Sequence, residues 1–148
     1  MTTPMDIAVA RFDEGYACSQ SVFSAYAPLF DLDPDLALRI AAPFGGGMGR
    51  MGEVCGAVTG AFMVLGLKAG STDAQDRASK EKAYDLAREF AERFKERHGS
   101  ILCRELLGYT IDTPEGLQAA RASGLLKELC PRLVLDSAEI VAELLEEG

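Results

Sequence analysis

Cysteine is the residue type through which this 148-residue chain could do chemistry. Cys18, Cys55, Cys103 and Cys130 are separated by 36, 47 and 26 intervening residues. A thiolate is both a nucleophile and a metal ligand, so four thiols admit disulfide exchange or metal holding. None of the spacings is the C-x-x-C of zinc ribbons or thioredoxin-like sites, and no C-x-x-C-H haem attachment is present. Four cysteines allow three complete disulfide pairings, and sequence does not choose among them. Each also has a plain alternative, a small buried apolar side chain. There is no Ser–His–Asp pattern for a hydrolase. The single histidine, His98, fits the last turn of a helix, where its charged form suits the dipole.

Cys55 lies in the most unusual stretch of the chain, "GGGMGRMGEVCGAVTG" at 45–60, which holds seven glycines. Gly47, Gly49 and Gly52 match G-x-G-x-x-G, with Asp73 about twenty residues on, but that fingerprint requires a buried strand before it. What precedes it is "PDLALRIAAPF", a capped helical pattern ending in proline. A triphosphate-binding loop fails more plainly, because Glu53 and Val54 stand where Lys and Ser/Thr are needed. Gly52, Gly56 and Gly60 recur every four residues, which on a helix makes a ridge free of side chains for close backbone approach. The glycines are therefore expected to shape a tight loop and a close-packed helix that presents Cys55. Met48 and Met51 are expected to fill space beside them.

The elements that must position these cysteines read as helices throughout, with no convincing strand alternation. The expected fold is all-α, a compact single-domain bundle of six or seven helices over residues 1–148. A first helix is expected over 5–30, with Phe12, Tyr16, Phe23 and Tyr26 on one stripe and Cys18, Val22, Ala25 and Leu29 on a line beside it. Asp33 reads as an N-cap with Pro34 in the first turn of a short second helix. A third is expected over 52–67, with Gly70 just past its end and Cys55 in its first turn. The span "STDAQDRASKEKAYDLAREFAERFKERHG" has the clearest period, with Ala83, Leu86, Ala87, Phe90 and Phe94 inward and Gly99 closing it. Ser100 is expected to cap "ILCRELLG", placing Cys103 in a first turn. Thr113 and Pro114 start another helix, and a last one runs over 136–146. At a helix start the dipole and free amides favour a thiolate, so Cys55 and Cys103 are expected to have lowered pKa values. Arg50 could assist Cys55, and Arg104 could assist Cys103 or pair with a carboxylate. Glu53 is expected to be structural.

Composition bounds the rest. A formal charge of −8 argues against nucleic acid or an anionic membrane as the main partner. The longest apolar run, "VCGAVTGAFMVLGL", has 14 residues, short of the roughly 18 to 20 of a spanning helix, and no export signal is visible. A cytoplasmic protein is expected, without membrane insertion. In a reducing compartment, cysteine sets are more often redox-active or metal-binding than structural.

The order Cys18, "GEVCGAVTGAFMVLGL", "GSILCRELLG" around Cys103, then Cys130 resembles the C_GCAxxG_C_C family of small redox-active proteins. The resemblance spans roughly residues 6–134, and its most specific part is "CGAVTG" at 55–60. It implies a redox role for Cys18, Cys55, Cys103 and Cys130 together, by thiol–disulfide or electron-transfer chemistry with an unidentified redox partner. In the disulfide reading Cys55 and Cys103 are the attacking thiolates and Cys18 and Cys130 the resolving partners or a second pair. In the alternative, all four ligate an iron–sulfur cluster or zinc. A third reading makes the chain a non-enzymatic helical interaction module, its glycine ridge the contact of a homodimer.

Overall fold

The structure, a computed structural model, describes residues 2–148, and these are all-helical. Eight helices follow one another among the described residues, one more than the upper expectation. They are α1 (Pro4–Glu14), α2 (Cys18–Tyr26), α3 (Pro34–Ala41), α4 (Gly56–Ala69), α5 (Arg77–His98), α6 (Cys103–Leu107), α7 (Pro114–Ala122) and α8 (Leu125–Glu147). None is long and apolar enough to cross a membrane.

The helix expected over 5–30 is two helices. Gly15, at φ +111°, ends α1 in a left-handed cap, and the chain restarts at Cys18, where the Gln20 side chain accepts from the Ala17 N–H at 3.0 Å. The interruption resets the helical phase, so Tyr16 and Leu29 are exposed instead of sharing an inward face. The helix expected from Gly52 begins at Gly56, with Cys55 as its N-cap. Gly52 is left-handed at φ +73°, and the residues after it pair with the chain before α6. Cys55 N–H donates to the Ile101 carbonyl at 2.8 Å, and Cys103 N–H donates to the Glu53 carbonyl at 2.7 Å, around an isolated antiparallel bridge from Val54 to Leu102. Leu102, not Ser100, is the residue capping α6; Ser100 Oγ accepts from Leu102 N–H at 3.0 Å and donates to Glu105 at 2.6 Å. The last helix starts eleven residues early and runs through Pro131, because Leu133, Val134, Ile140 and Val141 are all buried along it. Packing overrides the hydrogen bond a proline removes.

Expectations at the other caps match. Asp33 and Thr113 accept from backbone N–H groups at the starts of α3 and α7, Gly70 caps α4, and Gly99 closes α5 at φ +86°. Phe90 and Phe94 of α5 are fully buried.

The glycine stretch divides in two. Gly46, Gly47, Met48, Gly49 and Arg50 all have positive φ, between 61° and 66°, so the chain winds one left-handed turn there. Left-handed winding costs roughly 1–2 kcal/mol per residue that carries a Cβ, which is why glycine dominates this turn. Gly56 and Gly60 form the expected ridge. A Cβ on Gly60 would stand 2.7 Å from the Ser19 carbonyl oxygen, and one on Gly56 would stand 3.0 Å from the Ser19 nitrogen. The ridge is therefore filled by α2 of the same chain and is not available as a subunit contact. Ser19 Oγ donates to the Ala41 carbonyl, Tyr26 OH to Ala138 and Ser137 Oγ to Ala57, so α2, α3, α4 and α8 are pinned together by buried bonds of 2.7–2.9 Å. Outside, Arg93 and Arg97 of α5 pair with Glu143, Glu147 and Asp136 of α8. His98 joins this seam, its Nε2 2.8 Å from Asp136.

Candidate redox site

Two hydrophobic clusters meet where the cysteines lie. The larger, built by α1, α2, α4, α5 and α8, includes Cys55 and has Cys18 packed against it. The smaller, beneath α6 and α7, includes Cys103, Leu107, Ile111 and Ala120, with Cys130 against it. All four cysteines line one cavity of about 250 Å³ at the junction. They reach it by different routes: Cys18 opens α2, Cys55 caps α4, Cys103 opens α6, and Cys130 sits inside α8 just before Pro131. The backbone pairing of 53–55 with 101–103 sets Cys55 beside Cys103. Gly47 makes room for them, since a Cβ there would fall 2.7 Å from the Cys103 Cβ. Four residues that stand far apart along the chain are thus gathered around one cavity. All four are free thiols.

Their acidities reverse the sequence expectation. The Ala57 and Val58 N–H groups do donate to the Cys55 sulfur, as a helix start allows, but burial outweighs them and pushes that thiol up to about 12. Burial, with the neighbouring Cys130 charge, pushes Cys103 up to about 11. Cys130 is the thiol held below its ordinary value, because Cys18 donates a hydrogen bond to it; its own burial opposes this and loses. Cys18, as the donor, is driven well above its ordinary value by that same bond, by burial and by the charges of the other three. Of this pair Cys130 is the sulfur that ionises first and Cys18 the one that keeps its proton. The three thiols at helix starts, Cys18, Cys55 and Cys103, are the ones that hold their protons.

Arg104 is not on a thiol, since it pairs with Glu53 at 3.0 Å. Arg50 reaches the cavity but is not among the groups that shift any of the four thiols. Arg121 also lines the cavity, as does an apolar wall that includes Phe12, Leu106, Ile111 and Leu126. Sequence reasoning missed Arg121 and this wall. Arg121 reads as an ordinary surface charge on a short amphipathic helix, and nothing local sets it apart.

Four thiols are the right donor chemistry for an iron–sulfur cluster or zinc. Yet among the described residues no group of three or more His, Cys, Asp or Glu side chains is placed to hold a metal ion. The four sulfurs line a shared cavity without forming such a group.

Helices that bring four free thiols to one cavity define a helical multi-thiol protein. The chain belongs to the family described as "Putative redox-active protein (C_GCAxxG_C_C)", whose model matches residues 16–144. No curated protein and no solved structure matches it.

Proposed function

We propose that this protein is a thiol–disulfide oxidoreductase whose first dithiol is Cys130 and Cys18. The observation that carries the reading is that four free thiols line one cavity of about 250 Å³, with Cys18 and Cys130 near enough to perturb each other's acidity. Cys18 holds Cys130 below its ordinary value, so Cys130 is the more readily ionised sulfur and Cys18 supplies the second sulfur of a disulfide.

In the reducing direction, the Cys130 thiolate attacks one sulfur of a substrate disulfide. An S–S bond breaks, a mixed disulfide forms, and the leaving thiolate takes a proton from solvent. Cys18 then attacks the Cys130 sulfur, its proton passing to the second substrate sulfur, which leaves as a thiol as the Cys18–Cys130 disulfide closes. Two electrons pass from the protein pair to the substrate, and a dithiol donor returns them later. Cys55 and Cys103 are adjacent but kept protonated by burial, so they form a reserve pair that exchanges with the first only slowly. Free thiols of this kind suit a reducing compartment, consistent with a cytoplasmic setting.

Equilibrating the protein across a dithiothreitol redox series and counting free thiols tests the reading. A two-electron transition that disappears in both Cys18→Ser and Cys130→Ser is expected. Four thiols unchanged across the series would contradict it.

A further inference from the structure

The walls of the thiol cavity say more than its sulfurs do. The chain carries 23 Asp and Glu against 15 Lys and Arg, yet the residues lining the cavity include two arginines, Arg50 and Arg121, and no Asp or Glu. Among the described residues neither arginine makes an ion pair; Arg88, Arg93, Arg97 and Arg104 are the ones that do. Asp112 shares an adjoining groove with Arg50 without pairing to it. Nor does either arginine serve the thiolate, whose lowered pKa is owed to Cys18. Two unspent positive charges therefore stand over an otherwise apolar, thiol-bearing space.

Arg50 is also held there against its backbone preference. It ends the left-handed turn at φ +64°, where glycine would be relaxed, and its Cγ lies 2.7 Å from the point a Gly46 Cβ would occupy. The bare backbone of Gly46 is what lets the arginine stem lie across the turn. Arg50 and Arg121 are exposed whereas Cys55 and Cys103 are buried, so the charges mark the mouth and the thiols the interior. The volume, about 250 Å³, is just under the roughly 300–1,000 Å³ of ligand pockets, enough for one arm of a small molecule.

We infer that the cavity selects small anionic substrates, with an apolar body that enters among the thiols and a carboxylate or similar anion held by Arg50 and Arg121. The inference names the substrate class of the proposed oxidoreductase and rests on that reading for its chemistry. Its charge selectivity can be read without any redox cycle. Attraction between the arginines and the anion raises the local concentration of the substrate at Cys130 and orients its reactive end inward.

Iodoacetate and iodoacetamide are nearly isosteric, differ by one negative charge, and both alkylate a thiolate by displacing iodide. Their rate ratio at Cys130, followed by peptide mass spectrometry, cancels the thiolate fraction and reports charge preference alone. The reference is the same peptide in the urea-unfolded chain. In the folded protein the iodoacetate-to-iodoacetamide ratio is expected to exceed that reference, by about threefold to tenfold at low salt, and to fall as salt is added. R50Q/R121Q is expected to bring the ratio to the unfolded value with its helical circular dichroism retained, and R50K/R121K to keep most of the preference. A folded ratio equal to the unfolded one, or a ratio unmoved in R50Q/R121Q, would overturn the inference. So would failure of both reagents to reach Cys130 in the folded chain. Loss of the disulfide transition with the charge preference intact would instead count against the redox reading alone.

Discussion

At Cys130 the decisive quantity is where one proton sits. Removing the Cys18 donor removes the interaction that favours the charged sulfur, while the burial that disfavours it remains. Cys18→Ala is therefore expected to raise the pH midpoint of Cys130 alkylation, from below the ordinary cysteine range to within or above it. Cys18→Ser keeps a hydroxyl donor and should hold the midpoint nearer the natural one. The iodoacetamide rate at Cys130 against pH checks both, and an unmoved midpoint in Cys18→Ala would show that Cys18 does not set it. That Cys130 is the low thiol was not legible in the sequence, because its partner lies 112 positions away. Helix-start arguments favoured Cys55 and Cys103 and were right about the amide donors at Cys55. They omitted desolvation, which reverses the sign.

Among the elements, the contact of α2 with α4 is the one the site depends on, because it fixes Cys18 against Cys55. Gly60→Ala would drive a methyl group to 2.7 Å from the Ser19 carbonyl oxygen, with backbone on the other side that cannot yield. It is expected to cost about 2–3 kcal/mol, as overpacking of a tight contact does. Gly66→Ala, on the same helix but with no neighbour within 4 Å, is expected to gain about 0.5–1 kcal/mol from helix propensity. Urea unfolding of the two variants measures the contrast; equal effects would mean that the ridge is not a close contact. The four-residue spacing of Gly52, Gly56 and Gly60 makes a ridge legible in the amino-acid order alone. Its partner is not legible there, and Gly52 does not belong to it, since it sits in the left-handed region one turn before the helix. The missed break at Gly15 and the missed continuity through Pro131 share a cause. In both places tertiary packing decides whether a locally ambiguous residue ends a helix.

For the whole molecule, the buried thiols link stability to pH. Cys55 and Cys103 have folded values of about 12 and about 11 against an ordinary 9.0, so above pH 9 the unfolded chain has released protons that the native chain still binds. The sign follows: stability is full below about 9 and is lost as pH rises toward 11 for Cys103 and 12 for Cys55, by about 1.4 kcal/mol per pH unit for each group. The unfolding free energy should fall between pH 9 and 10.5, and less steeply in C55A/C103A than in the natural chain. Tyr26, which burial raises to about 12 from 10.0, is present in both and does not blur the comparison. Parallel slopes would contradict the burial of these thiols. At this scale the all-helical class, the resemblance over most of the chain and the four cysteines were legible. Their gathering at the seam between two hydrophobic clusters was not, because it is built from contacts of long sequence separation. The central claim, that Cys130 attacks and Cys18 resolves, is tested most directly by incubating Cys18→Ser with oxidised glutathione and mapping the adduct by peptide mass spectrometry. A single mixed disulfide at Cys130, replaced in the natural chain by a Cys18–Cys130 disulfide, is the predicted result. An adduct at Cys55 or Cys103 in its place, or none at all, would contradict the account.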